Sequence, residues 1–382
     1  MLQKRLIWLG ISVSIGITGC SLFSPQVSTL FRPSMNVYAS LPASNAVAVM
    51  SLNNKSYTQS ITVGQNPVNV VVNPRSDLEY LYTANQNDGS VSFVNLRSGV
   101  QEQAVPSGAG PWGIDVTPYD GTHQYVVVAN VADHTAVRIN AITKAIDHTY
   151  SLPVPFEPHG VVAVPTNTTL TNQSQQDLDV YILSDTPNTN ANAGGCEVQQ
   201  IKPDGTLGTK IVIPGSKQLW RAAITPDGSE MYITDHGAND LWKVKLAGGT
   251  PTFDGEITLS GAGDSVVISP TGKSAYVSIP TGSTTETING AITFIDLNSG
   301  AITYNYATET TTGDGFIHPG ALAINTTGTE LWAALQNRLA FADVQESNVT
   351  NPNQWLNTVP YTSNPGQSPP ISDIAMGGGI QN

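Results

Sequence analysis

Three of the six histidines, His159, His236 and His318, stand out because an imidazole can bind a divalent metal or move a proton near neutral pH. Asp235 and Asp264 supply carboxylates to work with them, and Arg221 adds a fixed positive charge. A divalent ion on His159, His236, His318 and Asp235 would activate water or polarise a carbonyl. Trp112 and Trp220 offer a different chemistry, flat apolar faces on which a sugar ring or a peptide can stack. No two of the histidines have the i, i+2 or i, i+4 spacing that places two ligands on one face of a strand or helix. Only the fold can bring these residues together.

Two local patterns are weaker than they look. Gly108-Ala109-Gly110-Pro111-Trp112-Gly113 matches GxGxxG, a pattern that works by presenting helix N–H groups to pyrophosphate. Here a strand-like run follows and Pro111 removes a donor, so no nucleotide site is expected. Gly263-Asp264-Ser265 resembles the nucleophile block of one esterase family, whose serine is activated by an Asp and a His three residues apart. Ser265 falls in the repeat column that holds Asn69, Gly113 and Gly160, which makes it an inner-strand residue. Two cysteines, Cys20 and Cys196, are too few for a disulfide framework or a Cys-based zinc site, and no Cys-x-x-Cys-His attaches haem. Cys196 reads as a small buried hydrophobe.

The elements that must position the candidates come from one recurring phrase. Residues 62–96 read TVGQNPVNVVVNPRSDLEYLYTANQNDGSVSFVNL, and residues 106–140 repeat it as PSGAGPWGIDVTPYDGTHQYVVVANVADHTAVRIN. Shorter copies follow at 224–244, 266–280 and 322–337. Such a period means one supersecondary unit stacked on itself, because a single unit cannot bury its own apolar face. Pro67 and Pro111 stand 44 residues apart, the size of a four-stranded propeller blade. Thr225-Pro226-Asp227-Gly228 and Ser269-Pro270-Thr271-Gly272 mark tight turns between strands.

Inner strands are expected near Val68, Trp112, His159, Trp220, Asp264 and Gly320, which gives six units. The ends supply a seventh. Val37–Ser40, Ala46–Leu52 and Ser56–Val63 read as three strands lacking an inner one, and Ile371–Met376 reads as an inner strand with nothing after it. Pairing them closes an all-β, seven-bladed propeller without free edges. Insertions at Thr166–Asp177, Pro187–Gly195 and Ser283–Ile288 account for the longer intervals. Chain direction alternates within a blade, so inner strands start on the same face as the loops between second and third strands. That face, a channel mouth, should gather Trp112, His159, Trp220, Arg221, Asp264 and His318. His134 and His236 would lie on its loops, with Glu157, Asp235 and Asp373 beside them.

Tyr82-Thr83-Ala84-Asn85, Val127-Val128-Ala129-Asn130 and the run Gly89–Asn95 resemble the YVTN family of β-propeller repeats. The resemblance spans residues 36 to 376. It implies a seven-bladed ring in a bacterial periplasmic or archaeal surface protein, and it brings no catalytic motif.

The N-terminus sets the expected compartment. Lys4 and Arg5 precede a short apolar run, Leu6–Ile17, and Ile17-Thr18-Gly19-Cys20 closes it. That run is too short to span a bilayer. It resembles a bacterial lipoprotein signal, implying cleavage at residues 1–19, acylation of Cys20, and a tether over residues 20–35 before a propeller at 36–382. Ser21 after the cysteine fits outer-membrane sorting within the cell envelope. A formal charge of −13 argues against a nucleic-acid partner. Charged residues make up only 12% of the chain, about half the usual share of roughly 25%. A surface covered by Asn, Ser and Thr suits an envelope protein and an acidic milieu, where few carboxylates change state as pH falls.

These features lead to a membrane-tethered binding module that takes a protein, small-molecule or glycan ligand on its top face. The alternative is a metal-dependent hydrolase or lyase of the lactonase kind, with His and carboxylate groups at the channel mouth. A quinoprotein dehydrogenase ranks lower, because its tryptophan-rich repeat signature is missing.

Overall fold

A computed structural model describes residues 36–75, 77–164, 179–188, 194–246, 250–280, 290–307, 319–335, 338–344, 357–359 and 370–377. The leader, Cys20 and the tether lie outside these residues. So do His318, the insertions at Thr166–Asp177 and Ser283–Ile288, and the middle of Pro187–Gly195.

The described residues form seven four-stranded antiparallel sheets. The first blade takes β28 (Asp373–Met376) as its inner strand, followed by β1 (Asn36–Leu41), β2 (Ala46–Ser51) and β3 (Ser56–Thr62). The second runs β4 (Pro67–Val72), β5 (Tyr80–Asn85), β6 (Ser90–Asn95) and β7 (Val100–Pro106). In the third, β8 (Pro111–Val116), β9 (Tyr125–Asn130), β10 (Thr135–Asn140) and β11 (Ile146–Ser151) follow in order. The fourth is β12 (Pro158–Ala163), β13 (Val180–Ser184), β14 (Glu197–Ile201) and β15 (Leu207–Val212). The fifth is β16 (Leu219–Ile224), β17 (Glu230–Asp235), β18 (Asp240–Lys245) and β19 (Thr252–Thr258). The sixth contains β20 (Val266–Ile268), β21 (Ser274–Ile279), β22 (Ala291–Asp296) and β23 (Ala301–Ala307). The seventh contains β24 (Leu322–Ile324), β25 (Glu330–Leu335), β26 (Arg338–Asp343) and β27 (Asn357–Val359).

The chain ends pair where the half-units predict. Val37 faces Met376 and Ser40 faces Asp373 across β1 and β28. The inner strands of the sixth and seventh blades are shorter than expected, starting at Val266 and Leu322. Asp264 and Gly320 still bond across to their second strands, through Asp264 N to Ser278 O and Gly320 N to Ala334 O, both at 2.8 Å.

Packing follows the period of two. In β5, Leu81 packs toward the first blade with Val47 and Tyr38, whereas its neighbour Tyr82 packs toward the third with Val126 and Ile114. Each gap between adjacent blades holds one such apolar cluster, seven in all, so every blade uses both faces. The gap that closes the ring is as apolar as the rest, with Met50, Ile374 and Met376 against Trp332 and Leu339. The Pro-Asp-Gly turn works as its residues require. Gly228 adopts φ 71°, its N–H reaches Thr225 O at 2.8 Å, and Asp227 accepts from Ser229 N at 3.0 Å.

Candidate functional site

Four inner strands slip register with their second strands near the channel mouth. The breaks lie between Pro67 and Asn69, Pro111 and Ile114, Pro158 and Val161, and Leu219 and Ala222. Such bulges re-aim side chains out of the pleat. Val68, Trp112, His159, Trp220 and Arg221 are the residues caught in them. Thr234 braces one bulge: its hydroxyl accepts from Arg221 N at 3.1 Å and reaches Asp264 O at 3.0 Å. Gly113 and Gly160 let the strands approach. A Cβ on Gly113 would stand 2.2 Å from His159 O, and one on Gly160 would stand 2.4 Å from Trp220 O.

Close approach of the backbones brings the preceding side chains into a stack. Ring centroids of Trp112 and His159 lie 3.8 Å apart, those of His159 and Trp220 3.8 Å, and those of Trp220 and His236 3.9 Å. His159, at the centre, is buried, while both tryptophans and His236 keep partial exposure. His236 Nε2 meets Asp264 Oδ1 at 2.8 Å and ends the row. Equivalent positions in the other blades hold Gly320, Ser372 and Val68. Among the described residues, one half of the mouth is therefore an aromatic wall, and these inner-strand positions in the other half hold small residues.

Beneath the wall an ion pair crosses the channel. Arg221 on β16 bonds Asp373 Oδ1 on β28 at 2.5 Å, although the fifth and first blades are not neighbours. A second guanidinium nitrogen reaches Ser372 O at 3.4 Å. Burial works against the charge on Arg221, but Asp373 and Asp264 outweigh it and hold the group above its ordinary pKa. His159 behaves in the opposite way. Burial first, then the nearby Arg221 and His236, pushes its pKa down to about 3, so the ring is neutral. It donates to the Trp220 carbonyl, which leaves Nδ1 as a buried acceptor without a partner among the described residues. Arg221 Nε is likewise unpaired there.

Trp112, His159, Trp220, Arg221, His236 and Asp264 thus come together, as the repeat alignment expects. Asp235 does not join them. Its Oδ1 accepts from Gln218 N and Gly237 N, and its Oδ2 from Lys217 N and Trp242 Nε1, all within 3.0 Å. It ties its loop and stands apart from the imidazoles of the stack. Among the described residues no three His, Cys, Asp or Glu side chains gather as ligands, and His318, the remaining member of the metal set named from the sequence, lies outside them. His134 bonds Phe156 O at 3.2 Å, and Glu157 accepts from Thr186 Oγ1 at 2.9 Å. An Asp–His pair three residues apart does exist, Asp120 and His123, but it sits in the turn between β8 and β9, at the end away from the mouth. Ser265 Oγ accepts from Leu322 N at 3.2 Å, a strand residue's role. Cys196 is buried, and burial pushes its thiol up to about 11.

Three inner-strand side chains share a task that sequence reasoning missed. Asp373 Oδ2 accepts from Val70 N at 2.8 Å, and Asp115 Oδ2 from Ala163 N at 2.8 Å, as Ser265 does from Leu322 N. Each satisfies an N–H on the inner edge of the next blade, which has no strand beyond it. Repeat alignment contains part of this signal, because Asp373 and Ser265 fall in one column.

No protein-family model matches the chain, and no curated relative matches it. Solved structures do. Hydrazine synthase of Kuenenia stuttgartiensis is similar at 16% identity over 82% of this chain and 90% of that one, with a TM-score of 0.63. A putative 6-phosphogluconolactonase of Bacteroides uniformis is similar at 13% identity over 90% and 99%, also with a TM-score of 0.63. The β-propeller domain of Cps50 (Swd1) of Myceliophteria thermophila follows at 13% identity over 81% and 96%, with a TM-score of 0.59. Likeness at these identities bears on fold alone. The chain is a seven-bladed β-propeller.

Proposed function

We propose that the protein is an extracytoplasmic lipoprotein of the YVTN propeller type that binds a neutral glycan at its channel mouth. The observation behind this reading is the half-ring of stacked Trp112, His159, Trp220 and His236 facing Gly320, Ser372 and Val68. Sugar rings present apolar C–H faces that stack on exposed tryptophan, and their hydroxyls can both donate and accept. The charges set against the aromatic wall are matched, Arg221 by Asp373 and His236 by Asp264, so an ionic ligand gains little from them. A panel of neutral oligosaccharides and short peptides titrated against tryptophan fluorescence tests the reading. Trp220→Ala is expected to weaken oligosaccharide binding at least tenfold, or about 1.4 kcal/mol, with the fold intact. Parent protein that binds no oligosaccharide, or a variant that binds as the parent does, rejects it.

The His236–Asp264 pair favours a second reading, a hydrolase of lactones or esters. A carboxylate on one imidazole nitrogen makes the other a better base for activating water. On this reading, turnover of a lactone panel should fall at least a hundredfold in His236→Gln, a change of about 2.7 kcal/mol. No turnover by the parent leaves binding as the function.

A further inference from the structure

The path of the chain through the first blade divides the molecule into two unlike ends. Inner strands start at the mouth, so turns joining first to second and third to fourth strands lie at the opposite end. β1 is a second strand and therefore begins at that far end, where Gly377 N bonds Asn36 O at 3.0 Å. Residues 1–35 join the propeller there, and 16 of them lie from Cys20 to the tether's end. Even fully extended, a tether of that length keeps the far end within about 55 Å of an acyl group on Cys20.

Exposed apolar side chains follow the same division. Val100, Ile146 and Leu207 begin fourth strands, Ile302 is second in another, Ile142 lies in the turn before β11, and Tyr119 in the turn before β9. All six occupy the far end, with exposures from 37% to 56%, and five belong to the adjacent second, third and fourth blades. Among the exposed large hydrophobics of the described residues, only Val154 lies at the mouth end. Singly exposed apolar residues are ordinary, but their segregation to the end where the tether attaches is not explained by that.

We propose that this far face rests on the lipid surface, with apolar side chains of the second to fourth blades dipping among the headgroups and the mouth turned away from the bilayer. The proposal rests on the reading that Cys20 is acylated. Acyl chains supply the attachment and raise the local concentration of the face at the bilayer.

Full-length Ile146→Cys and Lys217→Cys proteins, each carrying an environment-sensitive fluorophore on the new thiol, test this in isolated membranes. Buried Cys196 does not compete for label. The probe at 146 is expected to shift to the blue, to be quenched by nitroxide lipids and to be shielded from aqueous iodide, and the probe at 217 should behave oppositely. Leu207→Cys repeats the test on a separate blade. Membrane pelleting of the parent and of Cys20→Ser reports the anchor separately. If only the parent pellets and all three probes report water, the far-face proposal fails and the anchor stands. If Cys20→Ser pellets as the parent does, or the parent is soluble, the anchor reading fails and the proposal falls with it.

Discussion

Arg221→Met is expected to destabilise the propeller by about 3–5 kcal/mol, more than any exposed ion pair could account for. The substitution removes the only charge among the described residues that reaches Asp373 Oδ1, leaving a buried carboxylate with backbone N–H partners such as Val70 N at 2.8 Å. Burial alone raises the Asp373 pKa, so the stranded group must either protonate or remain charged in a site poor in water. The pair also joins β28, the strand that closes the ring, to the blade across the channel. By comparison, Lys55 and Glu330 bind across the closing gap in partly exposed positions, and their loss should cost about 0–1 kcal/mol. Urea unfolding followed by far-ultraviolet circular dichroism measures the difference. The double variant Arg221→Met/Asp373→Asn should recover most of the loss, since Asn keeps an acceptor for Val70 and carries no charge. A double variant no more stable than the single one would mean that guanidinium packing, not charge pairing, holds the site.

Architecture was legible in the sequence because it is encoded locally. Pro67, Pro111 and Pro158 start inner strands, Asn85 and Asn130 end second strands, and Pro-Asp-Gly turns set the strand lengths, all within a single blade. The unmatched strands at the two termini completed the count. Ring geometry then placed Trp112, His159, Trp220 and Asp264 at one mouth. What the sequence hid depends on contacts between blades. Whether Trp112 and His159 touch is decided by a bulge and by the space at Gly113, neither of which periodicity reports. Arg221 meets Asp373 only at the ring's actual diameter, 152 residues apart along the chain. Asp235 looked like a ligand because it precedes His236, but four donors in its own blade claim its oxygens.

Two single substitutions should tilt the dependence of stability on pH between pH 7 and pH 4.5 in opposite directions. His159 is depressed to about 3 in the fold, by burial and then by Arg221 and His236, against an ordinary value near 6.5. Its contribution is fully present above pH 6.5 and is lost as pH falls, because the unfolded chain takes up a proton that the folded one refuses. Asp115 is raised to about 7 by burial, which outweighs the N–H groups of Ala163 and Val116 that it accepts. Here the folded state takes the proton first, so stability grows as pH falls from 7 toward the ordinary carboxylate range. Each effect is worth about 1.4 kcal/mol per pH unit, or about 3 kcal/mol across the window, with opposite signs. Glu102, held down at about 2 by Lys144 and Tyr80, begins to lose its contribution only as the unfolded chain takes up protons near the ordinary value of 4.5, at the lower edge of this window. Measured against the parent's own change from pH 7 to 4.5, His159→Phe should therefore gain about 3 kcal/mol and Asp115→Asn should lose about as much. Urea midpoints at four or five pH values give these slopes. Parallel slopes in parent and variants would show that neither group titrates as its burial requires.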